Sequence, residues 1–253
     1  MTGRRRNPNL LFVCAPCRSQ LAAGRSSPAC LEGARVRVVV AHFDDEALFC
    51  GGLLSGTGPV MADLRVAVVT GVETTSAPRE ITVPLPQEVE RRRRRLAAFD
   101  AVCWSLGARP SQLHLANLSQ TATRMDRDYQ ERVEAMRVLL RQAGTLEDAD
   151  VVITHGFAGE YGHPQHHAVH DAVISSVGTT RPAAVWTFGR PGRAHFTYRH
   201  DARAKARLLE HYRNQRIDGT DWRPETDARM RLWTGPQEWY HAWSVINGRH
   251  PQP

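Results

Sequence analysis

Two short segments hold the residues whose types and spacing suit hydrolytic chemistry. The first reads Ala41-His42-Phe43-Asp44-Asp45-Glu46, a histidine beside three consecutive carboxylates. Adjacent acids repel unless they are solvated, capped or bound to a cation. A helix starting here relieves part of that strain, because Asp45 and Glu46 would meet the positive end of its dipole. An acidic helix start is therefore the plain structural reading, and it accounts for one or two of the acids. It leaves His42 and the adjacent aspartates unexplained. His42 and Asp45 lie three apart across a tight turn and can point at one ion; imidazole nitrogen with carboxylate oxygen suits zinc. Asp44 would then stay free to act as a base. The second segment reads Glu160-Tyr161-Gly162-His163-Pro164-Gln165-His166-His167. A helix N-terminus disfavours charge on a histidine, which keeps the ring neutral and able to bind metal or move a proton. His163 and His166 stand out on that ground. His155, His167 and His170 read as ordinary loop or helix-surface residues.

Both segments follow apolar runs, and strands and helices alternate along the chain. Val36–Ala41 is a β-branched run of the kind buried on both faces of a sheet, followed by a helix over Glu46–Ser55. Strands are predicted at Leu64–Thr70, Gln112–Leu115, Ala149–Thr154 and Ala183–Phe188. Helices are predicted at Gln87–Leu106, Asp128–Ala143, Pro164–Val177 and Asp201–Gln215. The polar, proline-containing stretch from Thr74 to Gln87 reads as a loop. The pattern predicts a single α/β domain with a mostly parallel, Rossmann-like sheet covered on both faces. Ligands in such folds bind beyond the carboxyl ends of the strands, where both segments fall. The tail from Arg216 carries Trp222, Trp233, Trp239 and Trp243 with little periodicity.

Together the two segments resemble the PIG-L/LmbE-like de-N-acetylases, which include the GlcNAc-phosphatidylinositol deacetylase and the deacetylases of mycothiol and bacillithiol synthesis. Their first motif is Ala-His-Pro-Asp-Asp-Glu after strand one, and their second is of a Gly-x-x-Gly-His-Pro-Asp-His type, matched here by Gly159 to His166. Weaker echoes are Thr70-Gly71, the Arg-rich helix ending at Leu106-Gly107, and Lys205 to Gln215. The resemblance spans roughly residues 36 to 215. It implies a zinc ion held by His42, Asp45 and His166, with Asp44 as general base. It implies that His163 stabilises an oxyanion or protonates the leaving amine, and that Tyr161 approaches the acetyl group. Such enzymes place an arginine of the long helix in the active site; counting back from Leu106-Gly107 favours Arg95. Two positions depart from the pattern. Phe43 replaces a proline, and Gln165 replaces an aspartate, which leaves His163 harder to protonate.

The expected substrate is an N-acetylglucosaminyl conjugate. Trp222 and Trp233 are candidates for stacking on its aglycone, although tryptophans of this kind equally complete a core. A glycopeptide-antibiotic pseudoaglycone or other specialised metabolite is the first expectation, and a small mycothiol-like conjugate the second.

The net charge of +7 raises a different class, a basic nucleic-acid-binding or regulatory protein retaining the fold. No helix-turn-helix or zinc-finger pattern supports it, so no nucleic-acid partner is expected. Five cysteines at uneven spacing indicate no disulfide framework. Residues 1–34 read as an extension of unknown role. Its Cys14-Ala-Pro-Cys17 matches a redox pattern without the surrounding βαβ unit, and Cys14 to Arg18 is too short for a phosphatase loop. The apolar stretch after the basic start is too short for a signal-peptide core and no run is long enough to span a membrane, so a cytoplasmic location is expected.

Overall fold

The computed structural model describes residues 31–70, 86–115, 118, 121–180, 184–213 and 223–244. Cys14, Cys17, Trp222 and nearly all of the loop expected over residues 74–87 lie outside them.

The chain alternates as expected: β1 (Arg35–Val40), α1 (Asp45–Thr57), β2 (Asp63–Thr70), α2 (Pro86–Ser105), β3 (Arg109–Leu115), α3 (Arg127–Gln142), β4 (Val151–Thr154), α4 (Pro164–Thr180) and β5 (Ala184–Phe188). These are followed by β6 (Phe196–Arg199), α5 (Ala202–Glu210) and β7 (Gln237–Ser244). One seven-stranded sheet results, in the order β3-β2-β1-β4-β5-β7-β6. β3, β2, β1, β4 and β5 pair in parallel, and β7 adds antiparallel to β5 and to β6. Strand order reverses between β1 and β4. The carboxyl ends of these two neighbours therefore form the crevice that α/β sheets use for ligands.

The β-branched run in β1 is buried on both sides. Val36, Val38 and Val40 join one core cluster with Leu48, Leu53, Phe99 and Trp186. Val39 and Ala41 join the other with Met136, Leu140, Val169 and Val173. A period of two thus feeds two helical layers at once. Leu31 is fully buried in the first cluster, so the packed chain reaches back beyond β1. Among the described residues, no helix is long and apolar enough to cross a membrane.

The strands missing from the sequence reading are β6 and β7. In β7 the inward positions are Glu238 and Tyr240, both fully buried. Glu238 Oε1 accepts from Lys205 Nζ at 2.6 Å and from Gly52 N at 2.8 Å; Oε2 accepts from Leu53 N at 2.9 Å and Tyr240 OH at 2.8 Å. Lys205 is the chain's single lysine, and it is fully buried. Glu238 of β7, itself held by Lys205 of α5, thereby serves backbone groups of α1, the helix that opens at the first motif. Gly52 permits the close approach: a Cβ there would stand 2.2 Å from the ring of His200.

Candidate metal centre

β1 leads to His42 and Asp44 at the crevice, α1 begins with Asp45, the turn before α4 delivers Tyr161 and His163, and the first turn of α4 delivers His166. Three donor atoms converge. His42 Nδ1 lies 3.2 Å from His166 Nε2 and 3.4 Å from Asp45 Oδ2, and His166 Nε2 lies 3.5 Å from Asp45 Oδ2. A tetrahedral ion bound at about 2.0–2.1 Å requires ligand-to-ligand edges of roughly 3.3–3.4 Å. The triangle therefore fits a zinc-sized ion, and two imidazoles with a carboxylate are a suitable donor set.

Further histidines lie against this triangle. His155 Nε2 is 3.3 Å from Asp45 Oδ2, so Asp45, His155 and His166 also form a close group. However, His155 Nε2 faces the backbone N–H of Ala41 at 2.9 Å and accepts from it. Its lone pair is thereby engaged, and its Nδ1 turns to Glu160 Oε2 at 2.9 Å. His163 groups with His42 and His166. Its Nδ1 accepts from Gln165 N at 3.2 Å, which places the proton of the neutral ring on Nε2. Burial, and then the neighbouring His42 and His166, hold its pKa down at about 2, so the ring stays neutral.

Glu160 is the residue the sequence reading passed over. Its Oε2 accepts from His166 Nδ1 at 2.6 Å and from His155 Nδ1, and its Oε1 accepts from Gly156 N at 2.7 Å. Burial alone would raise this carboxyl, but the two histidines hold it at about 2. The Glu160 to His166 bond fixes the tautomer that leaves Nε2 facing the triangle. Glu160 reaches this position with φ 52°, outside the usual helical range. Gly156 is equally required, since a Cβ there would meet the Phe188 carbonyl at 2.3 Å. Glu160→Gln retains the size of the side chain and removes its charge. It is expected to weaken divalent-metal binding by roughly 10–100-fold, the scale of such supporting partners; titration with zinc against a competing chelator reads it.

Asp44 stands beside the triangle with φ 109°. It caps α1 through its carbonyl, which accepts from Leu48 N at 2.8 Å, while its side chain makes no capping bond. The carboxylate is left to the crevice, 4.0 Å from Arg95 Nη2. Burial first, then the charge of Asp45, push the Asp44 carboxyl well up; Arg95 pulls the other way. The third acid of the motif is structural: Glu46 Oε2 accepts from Asp44 N at 3.2 Å and its Oε1 accepts from Tyr212 OH. Phe43, where the resemblance has proline, is buried edge-on to Phe99 of α2 at 5.3 Å, so packing steadies the turn instead. Gln165 is buried, and its Oε1 accepts from Leu118 N at 2.9 Å.

Tyr161 lies edge-on to His166 and His163, with ring centroids at 5.2 and 5.9 Å. Trp233 is only 3% exposed and packs against Phe49 and Tyr161. It backs the tyrosine from within the core and offers no open face to solvent.

The fold has solved counterparts. The A40926 pseudoaglycone deacetylase superposes with a TM-score of 0.57 at 18% identity, covering 86% of this chain and 99% of that one. A deacetylase of the teicoplanin biosynthesis pathway, in complex with teicoplanin, gives 0.54 at 16% identity, covering 83% and 97%. The N,N'-diacetylchitobiose deacetylase of Pyrococcus horikoshii gives 0.52 at 12% identity, covering 78% and 76%. No curated protein matches the chain in sequence. The family model described as PIG-L, GlcNAc-PI de-N-acetylase, matches residues 37–177, more than half of the 253 residues and inclusive of both motifs; the chain belongs to that family.

Proposed function

We propose that this chain is a zinc-dependent deacetylase that removes the N-acetyl group from an N-acetylglucosaminyl conjugate. The observation that carries the reading is the triangle of His42, Asp45 and His166 with edges of 3.2–3.5 Å and a free carboxylate, Asp44, beside it. A zinc ion held there supplies a Lewis acid that makes water nucleophilic near neutral pH. Asp44 accepts the proton of the attacking water and passes it to the nitrogen of the departing amine as the C–N bond breaks, leaving acetate and the free amine. His163, neutral and protonated on Nε2, donates a hydrogen bond to the carbonyl oxygen as charge develops on it. Arg95 holds Asp44 in place, and Tyr161, braced by Trp233, borders the acetyl position.

The aglycone is assigned to a large specialised metabolite of the glycopeptide-antibiotic kind. Support comes from the family together with two solved counterparts that act on such pseudoaglycones or bind teicoplanin. Remote contacts of a large substrate can be used to align its reacting group, so truncation lowers turnover as well as affinity.

Two measurements test the reading. The purified protein should carry about one zinc per chain, and alanine at His42, Asp45 or His166 should reduce that content. Mass spectrometry should then show loss of one acetyl group from N-acetylglucosaminyl conjugates with bulky aromatic aglycones, and little turnover of free N-acetylglucosamine. Full activity in metal-free protein overturns the mechanism. Equal rates on the bare sugar and the conjugates overturn the large-substrate assignment.

A further inference from the structure

Glu160 has two sides. One faces the histidines of the metal centre; the other borders a separate cavity of about 730 Å³. Small-molecule sites occupy roughly 300–1,000 Å³, so the space is of ligand size. It lies on the α4 side of β5. Val185 and Thr187 of β5, His170 and Ile174 of α4, and Phe157 and Phe188 are among the residues that line it. None of His42, Asp44, Asp45, Arg95 or His163 borders it. The cavity is thus not the mouth of the metal centre; Glu160 stands between the two, with Phe188 and His170 of the lining packed against His155.

Its walls are built. Phe157 is half exposed, yet it is held: the Arg124 guanidinium lies 3.9 Å over its ring and His170 packs edge-on at 5.8 Å. Arg124 also donates to the Phe157 carbonyl at 2.9 Å. Such an aromatic wall is fixed before any ligand arrives, which lowers the ordering cost of binding.

Its charge is one-sided. Two acids border it, and both are engaged. Asp171 receives two bonds from Arg124, at 2.8 and 3.0 Å, and one from Tyr129 OH at 2.6 Å. Glu160 is held by His155, His166 and Gly156 N. Arg190 and Arg193, from the loop between β5 and β6, border the same space, and neither guanidinium has an acidic partner among the described residues. An apolar chamber with two uncommitted guanidiniums selects for a body without charge and a head with negative charge.

We propose that this cavity is a second ligand site, taking a small organic anion with a compact apolar body whose anionic group pairs with Arg190 and Arg193. The probe is naphthalene-2-sulfonate, a poor metal ligand, compared by calorimetric titration with methyl 2-naphthyl sulfone, which keeps the ring and lacks the charge. The sulfonate should bind the full-length protein about tenfold or more tightly than the sulfone, as charge-assisted bonds do, and added salt should narrow the gap. Arg190→Gln with Arg193→Gln should bring the two probes within about twofold of each other. Ile174→Trp, which fills the chamber, should abolish binding of both; Ser175→Trp at its edge provides the same test if the first variant does not fold. His42→Ala should leave both affinities unchanged. Equal affinity for the two probes overturns the proposal. So does binding that survives the tryptophan variants and disappears in His42→Ala, which places the probe in the metal crevice.

Discussion

Asp44→Asn is expected to lower deacetylation by roughly 10²–10⁴-fold, the scale of general-base catalysis, while the zinc content stays at that of the unaltered protein. The substitution is unusually clean. Asp44 sits at φ 109°, a region that asparagine and aspartate tolerate better than other side chains. Its structural duties belong to its main chain, which accepts from Leu48 N and donates to Glu46 Oε2, and both survive in Asn. The proton acceptor is lost, together with the charge that faces Arg95. Burial and the neighbouring Asp45 raise the Asp44 carboxyl well above the ordinary range, and Arg95 opposes them. A base with a raised pKa is protonated, and silent, up to a higher pH. In the metal-free protein the Asp44 carboxyl should therefore titrate above the ordinary aspartate range of about 4, read by carbon-13 NMR of that carboxyl, while a bound zinc ion would draw it back down. Removing the opposing charge in Arg95→Gln should move the metal-free titration further up. Turnover within a few-fold of the unaltered protein in Asp44→Asn would show that another group takes the proton, and coincident loss of zinc would show that Asp44 is a ligand instead.

Most parts of this fold that follow a simple period were legible in the chain; β6 alternates cleanly but is only four residues long, and β7 buries a polar group. β1 announces itself because its run of valines feeds both core layers. The helices α1 to α4 carry their starts in acids, proline or amphipathic spacing. β7 does not: its alternation puts Glu238 inward, and a buried carboxylate reads as a surface residue until Lys205 and two amide groups are seen around it. The metal triangle was legible because its donors fall in two short motifs. Its support was less so. His155 looks like a lone strand-end histidine, and Glu160 looks like one more acid in a loop. Their roles depend on a turn in which Glu160 adopts φ 52° and points back at two rings. Trp233 carried two readings, a sugar platform or a part of the core, and periodicity in an irregular tail could not choose between them; its packing on Phe49 and Tyr161 buries it.

The buried pair that hid β7 also makes the largest stability prediction. Lys205→Met is expected to destabilise the fold by about 3–5 kcal/mol, the cost of leaving one partner of a buried ion pair uncompensated. Lys205 and Glu238 are both fully buried, with Nζ 2.6 Å from Oε1. The methionine fills the space of the lysine stem, so the loss is of charge and not of volume. The remaining donors to Glu238 are neutral: Gly52 N, Leu53 N and Tyr240 OH. His200 Nε2, at 3.8 Å, is beyond hydrogen-bond reach. The carboxylate is then left buried without a cationic partner. Adding Glu238→Gln to Lys205→Met removes the stranded charge and keeps an acceptor for one amide, so the double variant should regain part of the loss. Urea titration of the two variants measures this as shifts in midpoint at unchanged slope. A cost below about 1 kcal/mol in Lys205→Met, the range of exposed pairs, would mean that the buried pair contributes no more than an exposed one. The donor triangle and this network meet α1 at different places, with Asp45 at its first residue and Gly52 and Leu53 in its second half. Folded Lys205→Met protein should therefore still bind zinc, separating a helix anchored for stability from one needed to shape the site.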